Sequence, residues 1–103
     1  MQKFRVEITK TAESDISDIF HTIALDNEAA ANNLVTEIER QIESLEIFPL
    51  RCPVIPESQD LGKAYRHILY GNYRTIFRMK GSRIIIMRVI HGARLLDLTA
   101  FQK

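Results

Sequence analysis

Two glycine-led dipeptides, Gly71-Asn72 and Gly81-Ser82, divide the C-terminal part of the chain into three runs: Ala64 to Tyr70, Tyr73 to Lys80 and Arg83 to Ile90. Glycine supplies the positive φ that tight type I′ or II′ turns require, so this punctuation predicts a three-stranded antiparallel meander. With two-residue turns, Tyr70 pairs with Tyr73 and Lys80 with Arg83. Because side chains alternate along a strand, that register assigns every residue to a face. One face collects Ile68, Tyr70, Tyr73, Phe77, Met79, Ile84, Ile86 and Ile90, interrupted by Arg66, Thr75 and Arg88. The other collects Tyr65, His67, Leu69, Arg74, Ile76, Arg78, Ile85, Met87, Val89 and His91, and reads as a basic, mixed, open face.

Something must cover the apolar face, and the N-terminal half supplies it. Phe4, Val6 and Ile8 alternate with Lys3, Arg5 and Glu7 as in a half-buried strand. Thr9 and Thr11 are N-cap candidates ahead of Glu13, Asp15 and Asp18, acids that suit the positive end of a helix dipole. Ile16, Ile19, Phe20, Ile23 and Ala24 then form one helical stripe. Asp26 and Asn27 interrupt it, and a second helix from about Glu28 carries Ala31, Leu34, Val35, Ile38, Ile42 and Leu45 on one face. Pro49 ends the helical hairpin. The stretch through Cys52, Pro53, Pro56 and Gly62 has no period and reads as a surface connection. The predicted architecture is a single α+β domain over residues 1–103, ordered β-α-α-β-β-β. A helical hairpin packs on an antiparallel sheet, and Leu95 to Phe101 forms a last helical turn or a tail.

At 103 residues there is room for one core. The longest aliphatic run of the strand region, Ile84 to Met87, is far shorter than a membrane helix, and the N-terminus lacks a continuous apolar stretch, so neither membrane insertion nor export is expected. One cysteine, Cys52, admits no internal disulfide, which fits a reducing cytoplasm. The formal net charge of +1 conceals a division. Up to Phe48 there are four bases against ten acids, a net of −6; from Pro49 onward there are ten bases against three acids, a net of +7. Such asymmetry points to an acidic or polyanionic partner for the basic half.

His21, His67 and His91 lie on three different elements without metal-ligand spacing, so no metal is expected, and no phosphate-cradling or nucleophile-elbow motif argues for a cofactor or a serine hydrolase. His21 reads as a solvated helix histidine and Cys52 as an incidental loop residue. His67 reads as a partly buried, hydrogen-bonded imidazole. Arg74 and Arg78 project from one strand with His91 near the end that carries Arg74. That arrangement suits contact with phosphates or carboxylates, and the alternative is a solvated β face. His91, followed by Gly92 and Arg94, is where an imidazole and a second cation can converge on a ligand.

The order strand, two helices, meander resembles the RelE/ParE superfamily of bacterial type II toxins over nearly the whole chain. The residues that carry the resemblance are Ala12-Glu13-Ser14-Asp15-Ile16, Leu45 to Pro49, Tyr65-Arg66-His67-Ile68, Gly71-Asn72-Tyr73-Arg74-Thr75-Ile76-Phe77-Arg78 and Arg88-Val89-Ile90-His91-Gly92-Ala93-Arg94. The resemblance implies a cytoplasmic toxin held inactive by a cognate antitoxin, with two mechanisms in the superfamily: ribosome-dependent mRNA cleavage and inhibition of DNA gyrase. Arg74 matches the arginine of the family's tyrosine-arginine strand motif, and His91 the histidine closing the last strand in several nuclease members. Arg74, Arg78 and His91 are the catalytic candidates of the nuclease reading. Arg66, Arg74, Arg78, Arg88 and Arg94 are the candidates for binding a target or antitoxin. Gly92 follows His91, no tyrosine occurs after Tyr73, and the lysine cluster of RelE-like members is missing, which favours the ParE branch and a non-enzymatic gyrase inhibitor. The alternatives are the ribosome-dependent endoribonuclease and a non-toxic binding module.

Overall fold

The computed structural model describes residues 3–56, 58 and 64–92. The elements run β1 (Arg5–Ile8), α1 (Lys10–Ala24), α2 (Glu28–Ser44), a short 3-10 turn (Pro49–Arg51), β2 (Tyr65–Tyr70), β3 (Tyr73–Lys80) and β4 (Arg83–His91). The segment expected as a last helical turn or a tail, Leu95 to Phe101, lies outside the described residues, as does Arg94.

Local chemistry starts and stops the elements where the sequence places them. Thr9 caps α1, its hydroxyl accepting from the Ala12 N–H, and Asn27 caps α2 through the Ala30 N–H. Gly71 and Gly81 take φ of +57° and +61° while Asn72 and Ser82 keep negative φ, so the hairpin turns follow the type II′ pattern. Tyr70 pairs with Tyr73 and Lys80 with Arg83, as the glycine punctuation predicts.

The meander is antiparallel, but the sheet as a whole is mixed. Its strand order is β1-β4-β3-β2, and β1 lies parallel to β4. Parallel neighbours require a crossover, which the helical pair provides. Periodicity within β1 carries no information about which strand it joins.

A second departure changes which residues share a face. Between Phe77, opposite Ile86, and Ile76, opposite Arg88, the ladder shifts by one, so β4 carries one extra residue, Met87. A bulge of this kind reverses side-chain parity beyond it. Val89, expected on the open face, packs with Ala12, Ile38, Ile42, Leu45, Phe77, Ile84 and Ile86 in the core under the helices. Ile90, expected under the helices, joins Ile55, Tyr65 and Ile76 on the other face. His91 moves with Val89 and sits opposite Tyr73, the two rings edge to face at 5.5 Å.

The N-terminal part of α1 holds the bulge. The Thr9 hydroxyl and N–H both donate to the Ile86 carbonyl, at 2.8 and 3.1 Å. The Asp15 carboxylate accepts two hydrogen bonds from the Arg88 guanidinium, at 2.8 and 3.0 Å, and one from the Val89 N–H at 3.0 Å. Both side chains are only 15% and 13% exposed, so this ion pair is not a surface ornament. On the exposed outer edge, Arg83 donates twice to Glu7, and these bonds hold the Glu7 carboxyl below its ordinary range despite some desolvation.

The open face is also partly roofed. The aperiodic connection is not merely surface: Ile55 is 2% exposed, its N–H donates to the Tyr65 carbonyl, and Val54 bridges to Arg66. The Ser58 hydroxyl donates to the Tyr65 carbonyl and accepts from the Tyr65 N–H. Single anchors of this sort leave no period to read.

Replacing Asp15 by alanine takes the paired carboxylate and two hydrogen bonds from a largely buried guanidinium and is expected to cost about 3 kcal/mol in urea unfolding. Thr9→Ala, which removes both the cap and the bond to Ile86, is expected to cost about 1–2 kcal/mol. An unfolding midpoint unchanged in either variant would contradict the clamp.

Candidate functional site

At the end of the sheet, the turn Gly71-Asn72 and the last residues of β4 close on each other. The Gly92 N–H donates to the Asn72 carbonyl at 2.5 Å, and a Cβ on Gly92 would lie 3.3 Å from that oxygen, tighter than ordinary contact. Beside this junction opens a cavity of about 410 Å³, bordered by Pro56, His67, Leu69, Tyr73, Arg74 and His91. Arg74 is 8% exposed, with Leu69 opposite it on β2 and Ile90 opposite it on β4. The site therefore presents a nearly buried guanidinium and two imidazoles against apolar walls. A planar guanidinium can pair bidentately with a carboxylate or a phosphate.

The other sequence candidates fall elsewhere. Arg78 is half-buried opposite Ile85, four residues along β3 from Arg74, which is about 13 Å of strand. It does not border this cavity. Arg66 donates to the Cys52 carbonyl at 2.6 Å and fastens the connection to β2. Arg88 is engaged by Asp15. His91, exposed, borders both the Arg74 cavity and a second one of about 340 Å³ that contains Asp15, Asp18 and Thr22 of α1. His21 is exposed, its Nδ1 2.7 Å from the Ser17 carbonyl oxygen. Among the described residues no cluster of three or more His, Cys, Asp or Glu side chains offers a metal site, and no helix is long and apolar enough to cross a membrane.

His67 has a larger place in the site than its sequence context suggests. It borders the Arg74 cavity and an adjoining one lined by Arg51, Cys52, Pro53, Ile68 and Leu69. Its position on the face of Arg74 was readable from strand alternation; the approach of Pro56 and Pro53, which makes that face concave, was not.

Cys52 is 4% exposed, and burial pushes its thiol up, against the smaller opposing influence of Arg51 and Arg66. A buried, protonated thiol is a poor nucleophile. Alkylation by iodoacetamide at pH 8 is expected to be at least ~10-fold slower in the native protein than in urea. Equal rates would show an accessible thiolate.

The fold has known counterparts. It superposes on a chain of the chromosomal ParDE toxin–antitoxin system from P. aeruginosa with a TM-score of 0.67 at 20% identity, covering 88% of this chain and 98% of that one. It also matches a chain of the RelBE2 toxin–antitoxin complex from Mycobacterium tuberculosis, with a TM-score of 0.58 at 24% identity, covering 86% of this chain and 98% of that one. No curated protein sequence matches the chain. The family described as the ParE toxin of the type II toxin–antitoxin system parDE matches residues 6–96. With nearly the whole chain inside that match, and with the β-α-α-β-β-β order in place, the protein belongs to the ParE toxin family of type II toxin–antitoxin systems.

Proposed function

We propose that this toxin acts by inhibiting DNA gyrase without cutting nucleic acid, and that a cognate antitoxin neutralises it. The observation that carries this reading is the family match itself, which is to ParE over residues 6–96. The placement of the nuclease candidates supports it. General acid–base cleavage of RNA needs its groups within hydrogen-bond reach of one phosphate. Arg78 stands about 13 Å of strand away from Arg74. His91 and Arg74 border one cavity, but Arg78 does not. An inhibitor that works by occupying a protein surface needs no such convergence.

The antitoxin part of the reading draws on the two solved neighbours, both of which come from toxin–antitoxin systems. It fits the basic half of the chain, for which an acidic partner is the natural complement.

Purified toxin incubated with gyrase, ATP and relaxed plasmid is expected to abolish supercoiling at stoichiometric to modest excess. Mapping of transcript ends after induction is expected to find intact messages, and His91→Ala is expected to retain growth arrest. Unimpaired supercoiling at high excess, together with codon-positioned mRNA cuts lost in His91→Ala, would replace this reading with the ribosome-dependent endoribonuclease. Absence of growth arrest would leave a binding module.

A further inference from the structure

The turn that leaves α2 presents apolar side chains to solvent. Ile47 is 43% exposed, Phe48 62% and Leu50 62%, and none of the three packs in either core. Phe48 holds φ 56° and ψ 50°, a left-handed backbone that glycine and asparagine favour and that a residue with a phenyl ring adopts at a cost. The Arg51 guanidinium fixes it there, donating to the Ile47 and Phe48 carbonyls at 2.9 and 3.0 Å and to the Ser44 hydroxyl at 2.8 Å. Backbone strain and a guanidinium together hold a phenyl ring outside both cores. An apolar knob fixed in this way is preorganised for contact, because little of it remains to be ordered on binding.

Size and charge together specify the partner. The three side chains present roughly 300 Å² of apolar surface, the scale at which a patch on a monomer is commonly functional. A stable interface takes about 800 Å² from each partner, with an apolar centre inside a polar rim. The rim here is divided by sign. The knob falls where the charge of the chain reverses, from a net of −6 up to Phe48 to a net of +7 from Pro49 onward. On its helical flank Glu39 and Glu43 are exposed near the end of α2, and on the other flank Arg51 is exposed. Among the described residues no cation pairs with Glu43 and no carboxylate with Arg51. A surface apolar at its centre, acidic on one flank and basic on the other is complementary to a copy of itself turned over.

We propose that the Ile47-Phe48-Leu50 knob is the contact between two copies of this chain, related by a two-fold axis that passes through the knob parallel to the helical and sheet layers. Such an axis sets the end of α2 in each copy against the connection of the other, with Glu43 facing Arg51 across it. An axis perpendicular to the layers brings α2 against α2 instead, acid against acid. Neither gyrase as the target nor an antitoxin as the neutralising partner enters the assignment, so those readings stand or fall separately.

The test is sedimentation velocity of the full-length chain between ~2 and ~200 µM, with urea unfolding of each variant as a control of its fold. A reversible dimer is expected, its dissociation constant raised ~10-fold by Leu50→Asp and ~10-fold by Phe48→Asn. Asparagine suits the left-handed backbone, so Phe48→Asn is expected to keep or raise the unfolding midpoint at concentrations where the chain is monomeric. That separates loss of contact from loss of fold. Glu43→Lys is expected to weaken the dimer ~3-fold at ~50 mM NaCl and to match the unaltered chain at ~500 mM. A monomer at ~200 µM would overturn the proposal and leave the knob to a different protein. So would a dimer indifferent to both Leu50→Asp and Phe48→Asn, or one that Glu43→Lys strengthens, which would place α2 against α2.

Discussion

The carboxylate of Asp15 connects the two layers of this protein at the place where the sheet is irregular. It takes two hydrogen bonds from Arg88 and one from the Val89 N–H, just after the extra residue in β4, and Thr9 takes hold of the Ile86 carbonyl just before it. A bulge disrupts the ladder and leaves backbone groups seeking partners. Here α1 provides them. The same contacts dock the helix on the strand, so helix position, bulge and side-chain parity beyond the bulge depend on one another. Everything at the end of the sheet beyond the bulge follows: Val89 turns toward the helices, Ile90 toward the connection, and His91 toward Tyr73.

The division of charge along the chain is used twice. Part of it is consumed internally, since Arg83 meets Glu7, Arg88 meets Asp15 and Lys3 meets Glu46, each pair joining the acidic N-terminal part to the basic C-terminal part or closing the N-terminal part on itself. The exposed pairs contribute little, as surface ion pairs generally do. The largely buried one is of a different kind, because removing either partner takes its countercharge from the other in a poorly solvated place. Several of the bases are thus engaged within the fold, and Arg74 differs from the other described arginines in its depth, at 8% exposed.

The connection between α2 and β2 does more than join them. By laying Ile55 against Tyr65 and Ile76, it builds a second, smaller core on the face away from the helices. That roof is incomplete. Where it stops, near Pro53 and Pro56, the sheet surface is left with walls, and the flat array of side chains becomes the pair of cavities around His67 and Leu69. Phe48, with a positive φ of 56°, and the buried Pro49 turn the chain from the helix into this segment.

The elements themselves were legible because their signals are local. Capping by Thr9 and Asn27, the helical stripes, and the glycine turns with their pairings of Tyr70 to Tyr73 and Lys80 to Arg83 all depend on residues a few positions apart. Arg74 and His91, which the sequence places near one strand end, both border one cavity. Three things were decided only by tertiary structure. The parallel partnership of β1 with β4 depends on how the helical pair crosses the sheet. The bulge at Met87, which puts His91 rather than Ile90 opposite Tyr73, depends on contacts to Thr9 and Asp15 from more than seventy residues away. The concavity at Arg74 depends on single anchors in a segment without period. Pattern along a chain specifies what each stretch becomes and which side of it is apolar. Where one stretch meets another is set by packing and by the need to satisfy buried polar groups, and those are properties of the assembled fold.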